Sequence, residues 1–168
     1  MSDFDPSKIT VSELKSLPSG AKLGFVNYAP RNRCGLETPE VYIPFECRKF
    51  NAEDGGDGGD KAGAGGSGKL SITLSLKKKG EDADMDRLID TIEAVDNRII
   101  DIGVENALKW GLVKPGKPVN RDLVDNAYTP SIKYSINKDT GEPLGFPPQL
   151  RVKFPEDKMG RVLTEVYD

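Results

Sequence analysis

A chain of 168 residues with 36% apolar side chains can bury one modest core, and a second independent core is not expected. Its formal net charge of -3 excludes a protein that coats duplex DNA by bulk positive charge, so a nucleic-acid reading must rest on local charge segregation. The absence of histidine removes the usual zinc sites and the commonest general base at neutral pH, and with it the Ser-His and Cys-His nucleophile pairs.

Carboxylate sites for magnesium or calcium remain. No Asp or Glu pair lies in an apolar setting that would raise its pKa, so the chain is read as a non-enzyme without cofactor or metal. Cys34 and Cys47 make neither a disulfide framework nor a metal cluster. No apolar run approaches the ~18 to 20 residues that span a bilayer, and residues 1–6 lack the regions of a secretory signal. A soluble, intracellular protein with no membrane contact is expected.

In chain order, residues 1–21 are read as an N-terminal arm, with a short turn of helix over 12–17 ended by Pro18-Ser19-Gly20. Residues 22–29 have strand composition, and Pro30-Arg31-Asn32-Arg33 breaks them into a basic loop. Over 40–50 the period is two: Val41, Ile43, Phe45 and Cys47 share one face, Tyr42, Pro44, Glu46 and Arg48 the other. Pro44 cannot donate to a ladder, which predicts an edge or a bulge there. Residues 53–68 hold eight glycines in sixteen positions and predict a disordered loop; the Gly-Gly-Asp repeat inside it reads as linker, not as a calcium site.

Residues 69–77 alternate strictly, with Leu70, Ile72, Leu74 and Leu76 inward and Ser71, Thr73, Ser75 and Lys77 outward. This strand and the Tyr42 strand are expected to pair as a hairpin with a long loop. Leu88, Ile92, Val95, Ile99 and Ile102 then form one stripe of a long helix capped by Asp82 or Asp84 and fading near Trp110, which is read as packing. Asn120 caps a second, short helix through Tyr128, with Leu123 and Val124 buried. Strands follow at 132–136 and 150–154, with Tyr134 and Phe154 in the core, and a last one over 161–167.

This order, mainly β with α, is that of an OB-type five-stranded β-barrel with a long helix after the third strand; it also fits an α+β sheet with a helix on one face. Residues 22–168 are expected to form a single domain. Charge is segregated along it. Residues 81–96 carry seven acids and one base, and 53–60 four more acids. The strands and their loops are locally basic, which predicts a nucleic-acid surface formed by Arg31, Arg33, Arg48, Lys49, Lys77, Lys133, Arg151 and Lys153, with Tyr42 or Phe50 stacking on bases and Tyr28 a further candidate ring. Alternating lysine on a strand also serves solubility and edge protection, and a half-exposed tyrosine often covers a core margin.

Residues 35–45 (Gly-Leu-Glu-Thr-Pro-Glu-Val-Tyr-Ile-Pro-Phe), the Leu70 strand, the long helix, Tyr128-Thr129-Pro130-Ser131-Ile132-Lys133-Tyr134-Ser135, Asp139-Thr140-Gly141-Glu142 and Pro147-Pro148 resemble the T7-type single-stranded-DNA-binding proteins of large nucleocytoplasmic DNA viruses and related algal sequences, over residues 22–155. The resemblance implies an OB fold and sequence-tolerant binding of single-stranded DNA in replication, recombination or repair. It also implies replication partners such as a polymerase or helicase, and action at sites of DNA replication, in the host cytoplasm or nucleus if viral. Phage-type members carry an acidic C-terminal tail ending in an aromatic residue; here only Glu165, Tyr167 and Asp168 echo it, and a further C-terminal segment is expected. Homodimerisation stays open. Two other classes stay open as well: a protein-interaction or virion structural module without nucleic-acid binding, and a metal-using nuclease.

Overall fold

Residues 4–29, 34–45, 47–49, 70–157, 159 and 161–164 are described by the computed structural model of the chain. They fall into two compact units, 1–39 with 79–131 and 40–78 with 132–168. The architecture is mixed α and β.

The first unit is organised by helix α1, Ala83–Glu105. Asp82 starts it: its side chain accepts from the backbone N–H groups of Asp84 (3.0 Å) and Met85 (3.2 Å), and Asp84 and Asp86 add negative charge to the first turn. The buried positions are Met85, Leu88, Ile89, Ile92, Asp96, Ile100, Ile102 and Gly103. Val95 and Ile99, expected in the stripe, are half-buried. A helix turns 3.6 residues per repeat, so a seam stepping by four and three drifts, and the buried face widens to follow it.

Residues 4–21 are part of this unit and not an arm. Asp5 caps a 3-10 turn at Pro6–Lys8, and strand β1, Ile9–Val11, carries the fully buried Ile9 and packs against α1. No helical turn forms over 12–17. Six residues before Pro18 are too few to repay helix nucleation. Ser12 instead joins its backbone N–H to Phe25 O (2.9 Å) and accepts from Phe25 N–H at its hydroxyl (2.9 Å), drawing the segment into extended pairing. Strand β2, Lys15–Ser16, pairs with β3, Lys22–Leu23, across the Pro18-Ser19-Gly20 turn, and β1 pairs with β4, Val26–Tyr28. The single strand expected at 22–29 is therefore two. Gly24 marks the break, where a Cβ would lie 2.6 Å from Leu14 Cδ2 and 3.0 Å from Val11 Cγ1, so a side chain there would have to displace both.

Two short helices complete the unit, α2 at Ala107–Trp110 and α3 at Arg121–Ala127. Asn120 caps α3 as expected, accepting from Asp122 N–H at 3.0 Å. Val124 is 5% exposed but Leu123, also expected inside, is 44% exposed. Adjacent residues on a helix point about 100° apart, so one short helix against α1 buries only one of them. Val124 lies over Gly103, where an added Cβ would meet Val124 Cγ1 at 2.8 Å.

The second unit is a four-stranded antiparallel sheet in the order β5-β6-β8-β7, where β5 is Arg48–Lys49, β6 Leu70–Ser75, β7 Ile132–Lys133 and β8 Gln149–Lys153. The long-looped hairpin expected from the sequence is present: Arg48 stands opposite Ser71, and Tyr42 bridges Ser75. Between these two points the outer chain takes six steps while β6 takes four, so two surplus residues bulge out around Pro44. Freed from the ladder, Ile43 and Phe45 are exposed instead of inward.

Ile72 opposes Val152, and Leu74 and Ile132 both oppose Leu150 on the apolar face, where Leu74 and Ile132 are buried. Strand β7 stops at Lys133. Its partner β8 is preceded by Pro147 and Pro148, which have no N–H to offer, so the ladder cannot continue toward Tyr134. Residues 134–146 leave the sheet as a separate hairpin bridged at Ile136 and Pro143, and Tyr134 is 52% exposed where a core position was expected. Phe154 is half-buried, and the strand expected at 161–167 is reduced to one bridge, Glu156 with Val162, its last residues lying outside the described ones. Among the described residues the strands form one open sheet and two two-stranded ribbons, and no closed barrel.

Candidate nucleic-acid interface

Residues directly opposed in an antiparallel ladder share a face, so the register of the second unit fixes which side chains stand together. One row reads Arg48, Ser71, Lys153 from β5 across β6 to β8. The next pairs Thr73 with Arg151, and the third runs Tyr42, Ser75, Gln149, Lys133. All nine positions have the same parity. None of them is Asp or Glu.

With strands about 4.8 Å apart and alternate residues about 6.8 Å apart, the patch is roughly 14 Å on each side. Its centre is β6, where Thr73 and Ser75 are half-buried and Ser71, expected outward, is buried, flanked by Arg151 and Lys153 on β8 and by Tyr42 at the β5 edge. Lys133, Arg151 and Lys153 are exposed, and Tyr42 is 71% exposed, held by its backbone, whose carbonyl accepts from Ser75 N–H at 2.8 Å. Among the described residues two acids beside the patch are engaged: Glu156 accepts from Leu70 N–H at 3.3 Å, and Asp157 accepts from the backbone and guanidinium of Arg161, which hold its carboxyl below the usual range.

The expected site residues therefore separate into groups. Tyr42, Arg48, Lys133, Arg151 and Lys153 meet in one register. Lys49 stands opposite Leu70, at the alternate position that belongs to the apolar face, and so is not grouped with Arg48. Lys77 is exposed two residues past the end of β6. Arg31, Arg33 and Phe50 lie outside the described residues. Tyr28 belongs to the first unit, where its ring stacks on Phe4 at 5.3 Å and its hydroxyl accepts from Asp5 N–H at 3.1 Å.

Sequence reasoning missed the hairpin that leaves the sheet at Lys133. Tyr134, Ile136, Leu144 and Phe146 are all at least half exposed there, Phe146 at 65%. The signal was the pair Pro147-Pro148, which ends the ladder and turns an apparent strand into a projection. No helix among the described residues is long and apolar enough to cross a membrane, and no group of three or more metal-ligating side chains is found among them.

Compared with family models, with curated proteins and with solved structures, the chain matches none of them.

Proposed function

We propose that the chain binds single-stranded DNA without strong sequence preference, in replication, recombination or repair, and that it acts by binding and not by catalysis. The observation that carries this reading is the register of β5-β6-β8-β7, which sets Arg48, Lys133, Arg151 and Lys153 at one parity with Thr73 and Ser75, with Tyr42 at the edge and no acid among them. Cations at strand spacing can follow a sugar-phosphate backbone, and an exposed ring offers a stacking surface that any base can use. In this reading the sheet is the core of an OB-type fold, an assignment supported by the order of long-looped hairpin, long helix and final strand pair, and by the family resemblance of residues 22–155.

Titration of labelled oligothymidine at two salt concentrations tests the proposal. Binding that weakens steeply with salt is expected; undetectable or salt-insensitive binding would remove it. A second reading, a protein-interaction module, is favoured by the exposed apolar side chains of residues 134–146. Tyr42→Ala separates the two, since it lowers affinity for the oligonucleotide only in the first.

A further inference from the structure

We propose that the first unit carries a nucleotide site of its own, a cleft in which the Trp110 indole stacks on a base, Lys22 and Lys109 draw in the phosphate, and Glu13 accepts from the base's amino group. The cleft, of about 320 Å³, lies between the β2-β3 ribbon and the end of α2 and is lined by Glu13, Leu14, Ser16, Lys22, Lys109 and Trp110. That volume is at the lower end of the ~300 to 1,000 Å³ of small-ligand pockets.

The two walls are tied together. Lys22 Nζ donates to Trp110 O at 2.9 Å, which counters the negative carbonyl end of α2 that would otherwise repel an anion. Two ammonium groups against one carboxylate leave the lining positive. A tryptophan and two lysines in one lining suit a base joined to a phosphate, because an aromatic ring binds the base face and cations bind the charge. A carboxylate at the base edge accepts from the amino group of cytosine or adenine but meets a carbonyl at the same position of thymine. Every lining residue belongs to the first unit, so this site is separate from the basic face of the sheet and does not rest on it.

Trp110 is the sole tryptophan, so its emission reports on this cleft alone. The full chain is titrated with cytidine and thymidine monophosphates. Saturable quenching by the cytidine nucleotide is expected, weakened roughly tenfold by Lys109→Ala, which removes one charge-assisted contact. The thymidine nucleotide binds more weakly, and Glu13→Gln erases that preference. Both variants are at exposed positions and leave the fold intact. The same quenching persists in an Arg151→Ala, Lys153→Ala double variant. In that double variant, quenching by oligodeoxycytidine at lower concentration than by the monophosphate assigns the site to a strand, and quenching by the monophosphate alone assigns it to a free nucleotide. Non-saturable quenching, an unchanged affinity in Lys109→Ala, or loss of quenching in the double variant would overturn the proposal.

Discussion

Removing Arg151 and Lys153 together should change how binding responds to salt, not merely how tight it is. The register sets four basic residues at one parity of the sheet: Arg48, Lys133, Arg151 and Lys153. For single strands, log K falls with log salt at about -0.7 per phosphate neutralised, so four contacts give a slope of about -2.8 and the double alanine variant about -1.4. Between 50 and 200 mM salt the unaltered chain then weakens about 50-fold and the variant about sevenfold. Fluorescence anisotropy of a labelled oligothymidine at four or five salt concentrations measures both slopes. Lys114→Ala with Lys117→Ala, exposed lysines of the other unit, serves as the control and should leave the slope unchanged. Equal slopes in the unaltered chain and the Arg151, Lys153 variant would refute the reasoning, even if affinity fell, because the phosphate contacts would then lie elsewhere.

Other predictions concern the first unit. Asp96 is 8% exposed and accepts from Tyr128 OH (2.7 Å), Ser131 N–H (2.8 Å) and Ser131 Oγ (2.7 Å); Asp96→Ala strands these donors and should cost about 2 to 4 kcal/mol in urea unfolding. Burial, and then the Asp96 carboxylate, push the Tyr128 phenol well above its ordinary value of 10.0. The unfolded chain therefore loses this proton first, so the stabilisation is complete below pH 10 and is lost as pH rises beyond it. Thermal unfolding followed from pH 9 upward should show that decline, and Tyr128→Phe should flatten it. Gly103→Ala gains roughly 1 kcal/mol of helix propensity but sets a Cβ 2.8 Å from Val124 Cγ1, an overpacking worth about 1 to 3 kcal/mol, so a net loss near 1 kcal/mol is expected. Adding Val124→Ala should make that glycine replacement harmless in the same denaturation assay.

The parts of the fold that could be read in the sequence were those whose signal is long and local. Strict alternation from Leu70 to Leu76 located β6, although Ser71, expected outward, is buried, and Asp82 or Asp84 with the apolar stripe behind them located α1, which ends at Glu105, short of the expected fade near Trp110. Strands of two or three residues, such as β1 and β2, contain too little alternation to register and were lost within the expected arm. Tyr134 was misplaced because its own alternation is good. What ends the strand is fourteen residues downstream, where Pro148 denies it a partner. The outward set of the candidate surface was legible strand by strand, but the alignment of Arg151 with Thr73, or of Tyr42 with Lys133, depends on pairings between segments far apart in the chain. Lys49 shows the limit: next to Arg48 in sequence, it looked like the same site, and pairing puts it at the alternate position.

The bulge around Pro44 has a consequence for how this surface can vary. Because the surplus over β6 is two residues, an even number, Tyr42 and Arg48 keep the same parity despite the interruption. Removing two residues between them would tighten the edge and preserve the grouping. Removing one would move either Tyr42 or Arg48 to the parity of Leu74 and Ile72, so single deletions here are expected to be far more harmful than double ones.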